Sequence, residues 1–257
     1  MPNQRPFIVI VPGASQNPSH YGLLSHLLLQ AGYPVLSALL PSVGATDQVS
    51  IQDDADYIRN RMMLPVLDYE ERDVVLVMHS YSSAPGSAAA NGLGRAERAA
   101  QGKRTAVIGQ ICVAALIPRG GDGSDLSGTF GGEYPPHIRA DLPANLLRCD
   151  DRSLLYSGVT EVLKEAVAAS GVAQGMTSFV TPLPRASWDS DDFKGRVAFI
   201  RAVNDPAIPL AVQQMMLDES GVEWIVKDIE SGHSPQVSQP AKLAEMLIAL
   251  TKTFESL

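Results

Sequence analysis

The feature that most restricts this chain is a rhythm: short apolar runs alternate with longer stretches whose apolar residues recur every three or four positions. Residues 7–11, 34–38, 74–77, 105–115, 197–202 and 223–228 read as strands. They are nearly continuous in apolar residues, the composition of strands covered on both faces. Between them lie helical patterns. Residues 21–31 place Leu23, Leu24, Leu27 and Leu28 on one face, 52–63 follow Ser50, and 84–99 are rich in Ala. Residues 240–254 point Leu243, Met246, Leu247 and Leu250 inward, with Pro240 suited to the first turn. This alternation predicts an α/β chain, a mostly parallel six-stranded sheet flanked by helices.

The stretch 118–195 breaks the rhythm. Gly120-Gly121-Asp122-Gly123, Gly131-Gly132, Pro135-Pro136 and Thr181-Pro182-Leu183-Pro184 punctuate it, with one helix candidate over 160–169. The expected organisation is a core of 1–117 and 196–257 interrupted by a cap or lid of 118–195, since a long irregular insertion in such a core is usually functional. At 257 residues and 45% hydrophobic, the chain suffices for one sizeable core.

The net charge is −8, and no Lys/Arg run interrupts the acidic balance, so nucleic acid and anionic membrane are poor partners. No apolar segment approaches the roughly 20 residues of a spanning helix, and the run 7–11 is too short for a signal peptide. A cytoplasmic protein is expected, monomer or homodimer, acting on a small molecule. The two cysteines, Cys112 and Cys149, are too few for a disulfide framework.

The chemistry concentrates at Val74-Val75-Leu76-Val77-Met78-His79-Ser80-Tyr81-Ser82-Ser83-Ala84. An apolar strand runs into a cluster of small residues and an Ala-rich helix, the setting of a nucleophile elbow that holds Ser80 over the end of a sheet. Ser82 is small, as the tight turn asks; Met78 and Ser83 stand where glycines are usual. The competing reading makes Ser80 or Ser82 a mere helix cap. A serine hydroxyl needs a base, and the base an orienting acceptor. His233, in Glu230-Ser231-Gly232-His233-Ser234-Pro235, supplies the base, and Asp205, after the run 197–202, the acceptor. Ser, Asp, His is the chain order that an elbow on an α/β sheet requires.

Other histidines compete poorly. His79 abuts the serine but points away from it at a strand end. His26 is expected to be partly exposed and His137 to lie at the surface of the insertion. His20 is a candidate for the pocket wall or for the surface. The oxyanion hole is expected from the N–H groups of Tyr81 and Ala14, in a Pro12-Gly13-Ala14-Ser15 loop where Gly13 permits close approach. Gly13 and Ser15 join the expected substrate-binding set with His20 and the insertion residues Phe130, Tyr134, Met176, Phe179 and Trp188. Those apolar residues suit a medium-sized apolar substrate or, equally, the core of the cap. No phosphate loop, dinucleotide turn or zinc-spaced His/Cys cluster is present, so no cofactor or metal is expected.

These residues resemble the α/β-hydrolase superfamily, and within it the compact branch of plant methylesterases, hydroxynitrile lyases and fungal and bacterial hydrolase-like proteins. The resemblance rests on Val11-Pro12-Gly13-Ala14, Leu40-Pro41-Ser42, His79-Ser80-Tyr81, Asn204-Asp205-Pro206-Ala207-Ile208-Pro209 and Gly232-His233-Ser234-Pro235. In the insertion, Ser178-Phe179-Val180-Thr181-Pro182-Leu183 and Ala186-Ser187-Trp188 resemble the lid of fungal and bacterial members. It implies the α/β-hydrolase fold with a Ser80–His233–Asp205 triad. The lysine that cyanohydrin lyases carry after the histidine is here Ser234, against that activity. Hydrolysis of an ester, lactone or related derivative is the first expectation. A cyclase, lyase or isomerase using the same triad, and a ligand-binding protein with a vestigial one, are the alternatives.

Overall fold

Among the described residues, nine strands are formed: β1 (Phe7–Val11), β2 (Val35–Ser37), β3 (Val74–His79), β4 (Val107–Val113), β5 (Ile138–Asp141), β6 (Leu146–Cys149), β7 (Gln174–Gly175), β8 (Val197–Ala202) and β9 (Ile225–Ile229). The computed structural model describes residues 4–129, 131, 132, 134 and 137–257. The six strands expected from the apolar runs make one sheet in the order β2-β1-β3-β4-β8-β9, every neighbouring pair parallel. Alternate residues serve opposite faces, as the two-residue period demands. Val9, Val11, Leu76, Met78 and Phe199 enter one buried layer. Ile8, Ile10, Val75, Val77 and Ile200 enter the other, beneath Leu24, Leu28, Leu243 and Leu247.

Three expectations need correction. Leu23 is 58% exposed, because Leu24 and Leu28 already fill the seam between helix Gly22–Gln30 and the sheet. The pattern at 52–63 begins at Ile51 behind the Ser50 cap, widens to a π-turn over Ile58–Met63 and resumes as helix Leu64–Asp68. Pro65 explains the widening, since its ring removes a donor and crowds the preceding turn. The Ala-rich stretch 84–99 is two helices, Ser83–Ala89 and Arg95–Ala100, parted where Gly92 takes a φ of 73°.

The stretch 118–195 is also more regular than its composition suggests. Strands β5, β6 and β7 form a separate three-stranded antiparallel sheet, and helix Glu161–Ser170 lies over the expected 160–169. Among the described residues, no helix is long and apolar enough to cross a membrane.

Candidate active site

Six successive residues of β3 are buried, and the chain then turns sharply. Ser80 takes a φ of 55°, in the left-handed region. Such strain costs on the order of 1–3 kcal/mol and persists only where the surroundings over-determine it. Ser82 supplies part of that restraint, its Oγ accepting the His79 N–H (2.9 Å) and donating to the Val11 carbonyl (2.8 Å). Ser83 adds to it by donating to the Leu116 carbonyl. Met78, where a glycine is usual, lies over Gly86, on which a Cβ would stand 2.7 Å from the Met78 Sδ. The space lost on the strand is thus regained on the helix.

Asp205 and His233 follow β8 and β9, adjacent strands whose outgoing loops are joined by the bonds Val203 N–H to Ile229 carbonyl (3.1 Å) and Asn204 N–H to Ser231 carbonyl (3.0 Å). The Asp205 Oδ1 accepts the N–H groups of Ala207 (2.8 Å) and Ile208 (3.0 Å). Its Oδ2 lies 2.7 Å from His233 Nδ1, and His233 Nε2 lies 3.0 Å from Ser80 Oγ. A carboxylate at Nδ1 selects the tautomer in which Nε2 is the free acceptor, facing the serine hydroxyl. Both Asp205 and His233 are buried.

His79 points away from Ser80, as a strand end requires. It lies behind His233, donating Nε2–H to the His233 carbonyl at 2.7 Å and facing the Tyr21 hydroxyl through Nδ1 at 2.9 Å. Burial and the neighbouring His233 push its pKa down to about 3. His20 belongs neither to the pocket wall nor to the surface. It is buried, stacked on Tyr156, and Nε2 donates to the Val167 carbonyl at 2.9 Å while Nδ1 accepts the Asn17 N–H. Nε2 therefore joins the first loop to the insertion, while Nδ1 closes a turn within the loop itself.

A pocket opens over Ser80. It is lined by Gly13, Ala14, Ser15, Tyr81 and His233 of the core together with Ile208, and by Tyr134, His137, Ile138, Leu147, Leu155 and Phe179 of the insertion. Among the described residues, the Ala14 N–H has no hydrogen-bond partner. Tyr81 follows Ser80 in the first turn of a helix, where N–H groups are left without intrahelical partners. His137 corrects the surface expectation: it is half-buried in the wall, where burial, reinforced by His233, lowers its pKa.

Phe130 lies outside the described residues. Met176 and Trp188 do not reach the cavity wall. Met176 packs against the core, and Trp188 is buried against Trp224 at 5.7 Å with its indole N–H donating to the Pro118 carbonyl at 3.3 Å. The neighbouring Ser187 explains the inward course, since it is held by Ser87 and Gln110 of the core.

Asp54 and Gln174 are among the buried residues near the site that escaped the sequence reading. Asp54 carried a signal: it shares the 3.6-residue spacing of Ile51, Ala55 and Ile58 and so falls on the apolar face. Gln174 carried none, since it follows an exposed helix in a stretch without periodicity. Among the described residues, no group of three or more His, Cys, Asp or Glu side chains is placed to hold a metal ion.

The family model for the alpha/beta hydrolase family matches residues 8–246. Two fungal proteins are similar over most of their length. Alpha/beta hydrolase nvfD of Aspergillus novofumigatus is 27% identical over 252 residues, covering 95% of each chain. Probable hydrolase R7 of a Phoma species is 26% identical over 260 residues, covering 95% of this chain and 97% of the relative. Among solved structures, polyneuridine aldehyde esterase superposes with a TM-score of 0.73 at 15% identity, over 96% of this chain and all of the other (100%). The pyrethroid hydrolase PytH does so at 0.71 and 20% identity, over 98% and 100%. At these identities the two structures show a shared fold.

Proposed function

The chain belongs to the alpha/beta hydrolase family, and on that premise we propose that it is a serine hydrolase cleaving an ester, lactone or related carboxylic derivative of an apolar small molecule. The carrying observation is the unbroken relay from Asp205 through His233 to Ser80, with contacts of 2.7 and 3.0 Å, that ends beneath the cavity. His233 takes the hydroxyl proton as Ser80 Oγ bonds to the substrate carbonyl carbon. The N–H groups of Ala14 and Tyr81 receive the oxyanion, and Asp205 stabilises the imidazolium. His233 then protonates the departing alkoxide. Water, deprotonated by the same imidazole, releases the acid and returns the proton to Ser80.

Among the described residues lining the cavity, none is Lys, Arg, Asp or Glu. A charged substrate group would therefore lose its hydration without meeting a counter-charge, which favours a neutral substrate. The names of the two structural neighbours, an esterase and a pyrethroid hydrolase, support ester cleavage.

The test is labelling with a fluorophosphonate followed by peptide mapping, then turnover of small neutral esters and lactones. Adduct on Ser80 and a product heavier than substrate by one water are expected. Labelling that persists in Ser80→Ala overturns the assignment of the nucleophile, and a product isomeric with the substrate overturns hydrolysis.

A further inference from the structure

Ser15, like Ser80, is a non-glycine residue in the left-handed region, with a φ of 63°. A backbone of this kind endures only where its surroundings over-determine it. Here both backbone polar groups of Ser15 are held from the segment around β7. Its N–H donates to Gln174 Oε1 at 3.2 Å, and its carbonyl accepts the Val172 N–H at 3.0 Å.

Gln174 is 1% exposed and donates from Nε2 to Ser42 Oγ (2.7 Å) and Ser178 Oγ (2.8 Å). The orientation of the amide follows from chemistry, since the Ser15 N–H can meet only an acceptor. Ser42 Oγ donates to Asp54, whose carboxylate also accepts the Ser42 N–H (3.0 Å) and the Tyr81 hydroxyl (2.8 Å). The strand approaches closely enough for this because residue 175 is glycine: a Cβ there would stand 2.9 Å from the Ser42 carbonyl oxygen. A buried chain thus runs Ser15–Gln174–Ser42–Asp54–Tyr81. One end adjoins Ala14 and the other is the residue after Ser80, the two proposed oxyanion donors. Leu40-Pro41-Ser42 and the Ser178 segment, sequence motifs without a role in the relay, both lie on it.

Resting on the serine-hydrolase reading, we propose that Gln174 is a positioning residue for the oxyanion hole: it holds the Ala14 N–H through Ser15, and the Tyr81 N–H through Ser42 and Asp54. Gln174 reaches the cavity wall, but both its N–H groups are committed, so it acts through its partners. A buried network of this kind is unforgiving, because one lost member leaves the others unpaired in a low dielectric.

The test compares wild type with Gln174→Met, which keeps the length of the side chain and removes the amide. The readouts are turnover of an ester and inhibition by the matching trifluoromethyl ketone, whose adduct with Ser80 places an oxyanion in the hole. Removing a whole donor costs about 10²- to 10³-fold, so displacing one should lower kcat about 10- to 100-fold, raise the ketone Ki in parallel and leave KM within about threefold. Should that variant not fold, Ser178→Ala strands one amide N–H. It is expected to move kcat and Ki the same way by about threefold, with KM unchanged. A folded Gln174→Met with kcat and Ki like wild type overturns the proposal. So does a joint rise of KM and Ki, which would make Gln174 a shaper of the pocket. A wild type that neither labels at Ser80 nor turns over an ester is a separate outcome, and it removes the hydrolase reading together with this one.

Discussion

The side chain of His79 donates its Nε2–H to the main-chain carbonyl of His233 across 2.7 Å. One imidazole thus steadies the backbone from which the other hangs, with ring centroids 5.0 Å apart. His79→Phe fills the space and removes the donor. Since a displacement of about 1 Å can cost on the order of 100-fold, kcat/KM should fall by about 10-fold or more. Steady-state kinetics decide the matter, and a rate within twofold of wild type would show that the loop holds its place unaided.

The same histidine sets a pH dependence of stability. Its folded pKa is depressed to about 3 by burial and by His233. The unfolded chain, with an ordinary imidazole near 6.5, takes up a proton that the folded chain refuses, so stability is full above about pH 6.5 and falls as pH drops toward 3. Between pH 7 and pH 5 the loss is about 2 kcal/mol. Asp54 works in the opposite direction, because burial raises its pKa and its ionised form is the one the fold disfavours. Urea unfolding at both pH values should show a smaller acid loss in His79→Gln than in wild type. Equal losses would remove His79 as the cause.

Asp205→Asn keeps the size of the side chain but not its charge or its selection of the tautomer. A loss in kcat on the order of 10⁴-fold is expected by analogy with serine proteases. The thermal midpoint should change little by comparison, because the bonds from Ala207 and Ile208 to Oδ1 survive. Retention of most of the rate would mean that another group orients His233.

Gly86→Ala places a methyl group 2.7 Å from the Met78 Sδ. Overpacking of this kind costs about 1–3 kcal/mol. Met78→Ala in the same chain should recover most of that, a non-additivity readable in thermal denaturation. Simple addition of the two effects would show that the residues do not press on each other.

Much of this architecture was legible in residue order. Burial on both faces leaves the inner strands of the main sheet nearly continuous in apolar residues, and Ser80 and Asp205 each follow such a run, whereas His233 follows the edge strand β9, exposed over Val226–Asp228. The limits are as physical as the successes. Alanine favours helix throughout 84–99, and only the geometry around Gly92 divides it. Trp188 and Tyr134 are both aromatic residues of the insertion, yet Ser187 draws the first into the core while the second faces the cavity. His20 and His137 both depart from expectation, because residues distant in sequence decide their places: the Val167 carbonyl and the Tyr156 ring bury His20, and the fold of the insertion puts His137 on the cavity wall.

The contact between Met78 and Gly86 also bears on which replacements the elbow accepts. A long thioether before the serine and a bare α-carbon on the following helix are tolerant in one direction only. Shortening residue 78 leaves room beside the bare α-carbon, whereas a methyl group at 86 meets the sulfur at 2.7 Å. Which side chains position 86 accepts therefore depends on what stands at 78.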